Sequence, residues 1–244
     1  MKKTFFASLL LMAAMQTVKA QMVVLHKTDG QTIECSVSQL DSISFDEHEW
    51  VDLGLPSGTL WATCNVGANS PEQYGDYFAW GETEPKEDYS WSTYKYCNGS
   101  YTTLTKYCKY SDYGYNSFTD TLAELLLEDD AATVNWGSGW QMPSPDQIEE
   151  LYNNTTTTWT TQGGVNGRLC IASNGNSIFL PAAGSRNGTS LDGAGSYGKY
   201  WLRSLSTLYS YDAYYLLFNS DSFGWSNYRR YYGRSIRPVR VKTR

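Results

Sequence analysis

The segment from Thr155 to Ala183 sets the tightest limit on the fold. Three runs rich in β-branched or aromatic residues, TTTTWTT, NGRLCIAS and SIFLPAA, are separated by Gly163-Gly164 and by Asn174-Gly175-Asn176. Runs this short, bounded by glycine and asparagine, fold as antiparallel strands joined by tight turns, because parallel strands need crossovers of a dozen or more residues. The threonine run lacks Pro, contains Trp159 and ends on glycines, which fits a strand better than a mucin-like stalk.

Helical signals are few. SPDQIEELYNN predicts a helix in which Ser144 is the N-cap, Pro145 the first helical residue and Gln147 the partner in a capping box, with Ile148, Leu151 and Tyr152 on one face. DTLAELLLEDDAA predicts a second, with Leu122, Leu125 and Leu126 as its apolar stripe. Upstream, WVDLGLPSGTLWATCNVGA reads as two extended pieces around a Pro56-Ser57-Gly58 turn. Two helices followed by a β meander predict an α+β fold and not alternating βαβ units.

The first 20 residues, MKKTFFASLLLMAAMQTVKA, have the form of a secretory signal peptide cut after Ala20: two lysines, an apolar run shorter than the roughly 20 residues that span a bilayer, and a small-residue exit. No Cys follows the cut, so no lipoprotein anchor is indicated. The expected location is exported: secreted, periplasmic or cell surface. Residues 21–48 read as an N-terminal β extension with a strand, an Asp29-Gly30 turn, a second strand and a short return strand from Ile43 to Phe45. Residues 49–244 then form the main domain.

The formal charge of −6 becomes −9 once Lys2, Lys3 and Lys19 are removed, while Arg229, Arg230, Arg234, Arg237, Arg240, Lys242 and Arg244 all follow Asp221, the last acidic residue. Neutralising an acidic body is a simpler account of that tail than nucleic-acid binding, and no nucleic-acid partner is expected. Of the five cysteines, Cys35, Cys64, Cys97, Cys108 and Cys170, an odd number for an oxidising compartment, Cys97 and Cys108 could close a hairpin disulfide. No spacing suits a metal knuckle, and with only His26 and His48 neither metal nor cofactor is expected.

The ordered strings WVDLGLPSGTLWATCNVGA, GDYFAWGE, WGSGWQMPSPDQIEEL, NGNSIFLPAAGSRNGTSL and GRSIRPVR cover nearly all of Trp50 to Arg240. Together they resemble the Fibrobacter succinogenes major paralogous domain family, a branch of the C-type-lectin fold related to formylglycine-generating-enzyme-like domains. The resemblance implies a C-type-lectin-like fold, but not a function. The oxidative chemistry of such relatives needs cysteines near the C-terminus, and none follows Cys170. There is no G-x-S-x-G or H-E-x-x-H string for a hydrolase. A calcium-dependent lectin needs several oxygen ligands on one loop, and Glu84-Pro85-Lys86 and Trp225-Ser226-Asn227 do not supply carboxylates at the matching positions. The chain therefore reads as non-enzymatic.

In AYYLLFNS, period two places Tyr214, Leu216 and Phe218 on one face, the core face by the resemblance, and leaves Tyr215 and Leu217 outward; Trp225 sits where the family usually has Trp and is expected in the core with them. Between Leu202 and Val241 there is no Lys, Glu, Gln or Met. Tyr, Ser, Leu, Arg, Asp, Phe, Gly and Asn appear instead, residues reached by randomising both adenines of an AAC or AAT codon. The segment at about 199–235 thus resembles the variable region of a diversity-generating-retroelement protein. Its implied contacts are Leu202, Arg203, Leu205, Tyr209, Tyr211, Asp212, Tyr215, Leu217, Ser222, Tyr228, Arg229, Arg230, Tyr231, Tyr232 and Arg234. The implied partner is a protein or glycan on another cell or phage. The alternative is an invariant surface lectin or adhesin subunit of the same fold that binds a glycan without calcium.

Overall fold

The computed structural model describes residues 22–26, 32–36 and 48–241. The chain divides into two units, residues 1–47 and 48–244. In the first, β1 (Met22–His26) pairs antiparallel with β2 (Thr32–Ser36), Met22 opposite Ser36 and His26 opposite Thr32. The expected Asp29-Gly30 turn and the return strand from Ile43 to Phe45 lie outside the described residues.

The second unit is mixed helix and sheet, built from small antiparallel sheets and two α-helices. Strands β3 (Trp50–Asp52) and β4 (Thr59–Ala62) flank the expected turn, where the Gly58 amide donates to the Leu55 carbonyl. The chain returns at its far end to the same place: β13 (Val239–Val241) pairs with β4, Val239 opposite Trp61. All of β4 is buried, as befits the central strand of three.

The helix expected after Ser144 forms as α2 (Pro145–Asn154). The Ser144 hydroxyl accepts from the Gln147 amide at 3.2 Å, and the Gln147 side chain accepts from the Ser144 amide at 2.9 Å. Ile148 and Leu151 are buried beneath it, whereas Tyr152 is exposed and stacks on Phe223 at 5.7 Å. The Thr155–Ala183 reading also holds: β5 (Thr155–Gln162), β6 (Val165–Ala172) and β7 (Ser177–Pro181) form a meander.

The helix expected over Asp120–Ala132 does not form. Helix α1 (Ala131–Trp136) starts only after Asp130, whose carboxylate caps it by accepting from the Ala132 and Thr133 amides at 2.9 and 3.1 Å. Asp120 instead accepts from the amides of Tyr107, Cys108 and Leu122. Residues 123–125 run extended beside β10 (Gly198–Leu205), with the Leu125 amide donating to Arg203 and the Leu205 amide to Ala123. Backbone pairing outweighs the helical pattern, and Leu126, placed in the expected stripe, is exposed.

After the short hairpin β8 (Ser185–Asn187) and β9 (Ser190–Asp192), β10 pairs with β11 (Asp212–Phe218), which pairs with β12 (Phe223–Arg229). This sheet separates two cores. One face carries Tyr200, Leu202, Leu216 and Phe218 into a cluster with Trp61, Ile148 and Leu151. The other carries Trp201, Leu205, Ala213 and Tyr215 into a cluster with Trp80, Tyr94 and Tyr107.

Candidate functional site

Two cores leave β11 no free face. Tyr215, expected outward, is buried against Trp201, ring centroids 6.1 Å apart, and Leu217 is half-buried. The reason is non-local: residues 77–107 cover the face that a two-layer reading leaves in solvent. Leu202, Leu205, Asp212, Arg230 and Arg234 are buried too, so these six are not displayed on the outer surface of the fold. Trp225, expected in the core, is exposed on the edge strand β12 and meets Tyr214 edge-on at 5.1 Å. Arg203 is half-buried, held by Glu124 at 2.9 Å and by Gln141 at 2.9 Å.

Arg230 shows how the tail cations are used. Its guanidinium donates to the carbonyls of Tyr107 (2.9 Å) and Lys106 (3.3 Å) and lies near the rings of Trp80 and Tyr94. Arg237 likewise donates to Asn65, Ala62 and Thr63. These two bond neutral oxygens across the fold. Arg229 is salt-bridged to Asp212 at 2.9 Å.

Removing the buried members leaves Arg203, Tyr209, Tyr211, Leu217, Ser222, Tyr228, Arg229, Tyr231 and Tyr232 at or near the surface. Seven of these nine, all but Arg203 and Leu217, lie in turns or in the final residues of the sheet. Ser222 bonds only within its own turn, to Asn219. The tyrosines gather in two clusters, one with Arg229 and one with Tyr228, the last two residues of β12. In the first, Tyr211 is ringed by Tyr209, stacked at 5.1 Å, by Tyr101 at 5.3 Å and Tyr113 at 4.7 Å, both edge-on, and by the Arg229 guanidinium 4.3 Å from its ring. In the second, Tyr232 contacts Tyr228 at 5.1 Å and Tyr231 at 4.7 Å, and Tyr231 rests on Trp91 at 5.0 Å.

Tyr101, Tyr113 and Trp91 were not among the residues singled out from sequence. They come from the long excursion between β4 and α1, whose only textual signal is its tyrosine density. That excursion is tightly held. Leu104 is fully buried, with its amide bonded to Tyr113 and its carbonyl to Tyr115, both at 2.8 Å. Tyr107, Asn116 and Ser117 adopt left-handed backbone, a cost that surrounding contacts must sustain. At Gly114 a Cβ would lie 1.8 Å from the Phe118 carbonyl oxygen, so only glycine fits. Asp129 anchors the base, accepting from Tyr96, from Tyr107 at 2.5 Å and from Lys106 at 2.5 Å. Burial alone raises the Asp129 pKa, but Lys106 and the two phenols outweigh it and hold the carboxyl below its ordinary value.

No disulfide stabilises this loop: Cys97 and Cys108 are free, and their thiols point to the carbonyls of Trp91 and Tyr110. Cys97 pairs instead with Leu104 in a β-bridge. Burial pushes the thiols of Cys97 and Cys108 up, which keeps them unreactive at neutral pH.

No family model, curated protein or solved structure matches the chain. The site must therefore be judged on its own chemistry. Among the described residues no group of three His, Cys, Asp or Glu side chains could hold a metal, and no helix is long and apolar enough to cross a membrane. A cleft of about 450 Å³ is lined by Asp76, Tyr77, Lys86, Tyr89 and Arg186 among others, with Arg186 laid over Tyr77 at 5.2 Å. The tyrosine clusters offer broad amphipathic contact: large rings, few rotatable bonds and hydroxyls that accept or donate.

Proposed function

We propose that the protein is an exported, non-enzymatic binding protein that captures a protein or glycan ligand on another cell or phage through its tyrosine clusters. The carrying observation is the arrangement of exposed Tyr101, Tyr209 and Tyr228 around Tyr211, Arg229 and Tyr232, rings held by one another and by a strained, well-anchored loop. Such rings lose little entropy on binding, and Tyr and Arg are the residues that dominate contact energies in protein interfaces.

The scaffold is read as C-type-lectin-like. Supporting this are the return of β13 to β4, which closes the second unit on itself, and the placement of a three-stranded sheet after two helices. The binding face is read as diversified by a retroelement. Supporting this is the placement of Tyr209, Tyr211, Ser222, Tyr228, Arg229, Tyr231 and Tyr232, positions whose residues fit a randomised AAC or AAT codon, in turns and at the strand end around a fixed core.

The test is ligand capture by immobilised protein from panels of bacterial cells, phage particles and glycans. The triple variant Tyr101→Ala, Tyr209→Ala and Tyr228→Ala should keep a Tm within about 3 °C of wild type, while capture falls at least ~100-fold, the loss of two hot-spot residues. Equal capture by the variant would remove the clusters from the site. A single sugar bound regardless of these tyrosines would favour the invariant lectin.

A further inference from the structure

Arg234 is 2% exposed, yet among the described residues no carboxylate lies within ion-pair distance of it. Its guanidinium carbon sits 3.4 Å from the Tyr215 ring and 4.1 Å from Trp201, with Tyr228 and Tyr232 each at 5.9 Å. Two of its N–H groups, at Nε and Nη1, have no acceptor. Arg230 and Arg237 each leave one nitrogen without an acceptor but bond carbonyls through the others, whereas Arg234 leaves two and lies among four rings. A buried donor without a partner costs about 1–3 kcal/mol, more when charged, and rings offset only part of that.

A second cation shares the same face. Lys199 lies opposite Leu217 in the β10–β11 register, two residues from Trp201 along the strand, so its side chain is on the Trp201 and Tyr215 side of the sheet. It is half-buried, and its ammonium has the Ser185 hydroxyl at 3.4 Å and the Tyr197 ring at 5.5 Å but no carboxylate within ion-pair distance. Burial first, then the charge of Arg234, lowers the Lys199 pKa, and burial brings Arg234 itself down to about 10. Burial outweighs what offsets it, Asp192 for Lys199 and the phenols of Tyr215, Tyr232 and Tyr228 for Arg234. The Tyr232 phenol is held above its ordinary range by burial and then by hydrogen bonds with Tyr231 and Tyr228, and the Tyr228 and Tyr232 rings flank the guanidinium.

We propose that Arg234, with Lys199 on the same face and the phenols of Tyr228 and Tyr232 as added donors, is an oxyanion subsite that takes a carboxylate or sulfate group of the bound ligand. Guanidinium, ammonium and phenol O–H are all donors, and charge-assisted bonds to an oxyanion are about twice as strong as neutral ones. The inference rests on the reading of the tyrosine face as a binding surface and names the chemistry that face selects.

The test is calorimetric titration of the intact protein with sodium sulfate and with sodium acetate, at constant ionic strength set by sodium chloride. Expected is a saturable heat with one of the two oxyanions, weakened at least ~10-fold in Lys199→Gln and in Tyr232→Phe, both of which keep the bulk of the side chain. Arg234→Met should abolish the heat, and the two milder variants decide the question should that variant not fold. Comparing the two salts separates carboxylate from sulfate recognition. Heats that do not saturate, or that are unchanged in Lys199→Gln and Tyr232→Phe, overturn the subsite. Loss of anion binding in these variants with cell or phage capture intact would place the subsite outside the capture surface and overturn its role there, while leaving the tyrosine-face reading standing.

Discussion

Tyr215 and Tyr228 are the same residue type in different roles: one is buried on Trp201, the other exposed beside Tyr232. Period-two alternation grouped Tyr214, Leu216 and Phe218 on one face, which the resemblance made the core face; Leu216 and Phe218 are buried there and Tyr214 half-buried. It could not show that residues 77–107 cover the opposite face, because that coverage is set by contacts distant in sequence. The consequence is measurable. Leu202→Ala should cost about 3 kcal/mol by leaving a cavity beside Leu216, whereas Tyr209→Ala should cost less than ~0.5 kcal/mol; denaturant unfolding checks both. Asp129→Asn should cost about 3 kcal/mol at neutral pH, because Lys106 loses its closer, buried counter-charge and keeps only the exposed Glu128 at 3.4 Å. The folded pKa of Asp129 is depressed, so its contribution is present above the unfolded-chain value of roughly 4 and is lost as pH falls through the folded value. Asp130 and Asp212, raised mainly by burial, act in the opposite sense. The diagnostic quantity is thus the difference between wild type and Asp129→Asn, which should narrow below about pH 4.

Helix α2 was legible because its signals are local and agree: an N-cap, a first-turn proline, a capping partner and an apolar face within eight residues. Ser144→Ala should destabilise the protein by about 1 kcal/mol. The segment before α1 was misread because its leucine spacing suits a helix, while its carbonyls and amides are taken by β10 and its acids by loop amides. The tyrosine loop was the least legible element. Its order comes from Leu104, Asp120 and Asp129 meeting partners dispersed along the chain, with neither disulfide nor regular structure to announce it. Gly114→Ala should therefore disturb more than its size suggests, with a loss of ~2 kcal/mol or more. The near-ultraviolet circular dichroism of the tyrosines should weaken as Tyr101 and Tyr113 lose their places around Tyr211.

At the scale of the whole molecule, the C-terminal segment has two duties that interleave along the chain. Leu202, Leu205, Tyr215 and Arg230 join two cores and clamp the tyrosine loop, and Arg234 floors the tyrosine face. Tyr209, Tyr211, Ser222, Tyr228, Arg229, Tyr231 and Tyr232 lie in turns or at the strand end, although Arg229 also pairs the buried Asp212. A binding protein that varies its contacts without losing its fold needs this separation. The most direct measurement is the DNA sequence of the gene and its flanks. The account predicts a near-copy of the segment encoding residues 199–235 beside a reverse-transcriptase gene. The two copies should differ where the near-copy has adenine, at the codons of the accessible positions, and should agree at Leu202, Leu205, Tyr215, Arg230 and Arg234. An AGA or AGG codon at Arg229 or a TTA or TTG codon at Leu217, or a near-copy whose differences fall on the buried positions, would contradict it.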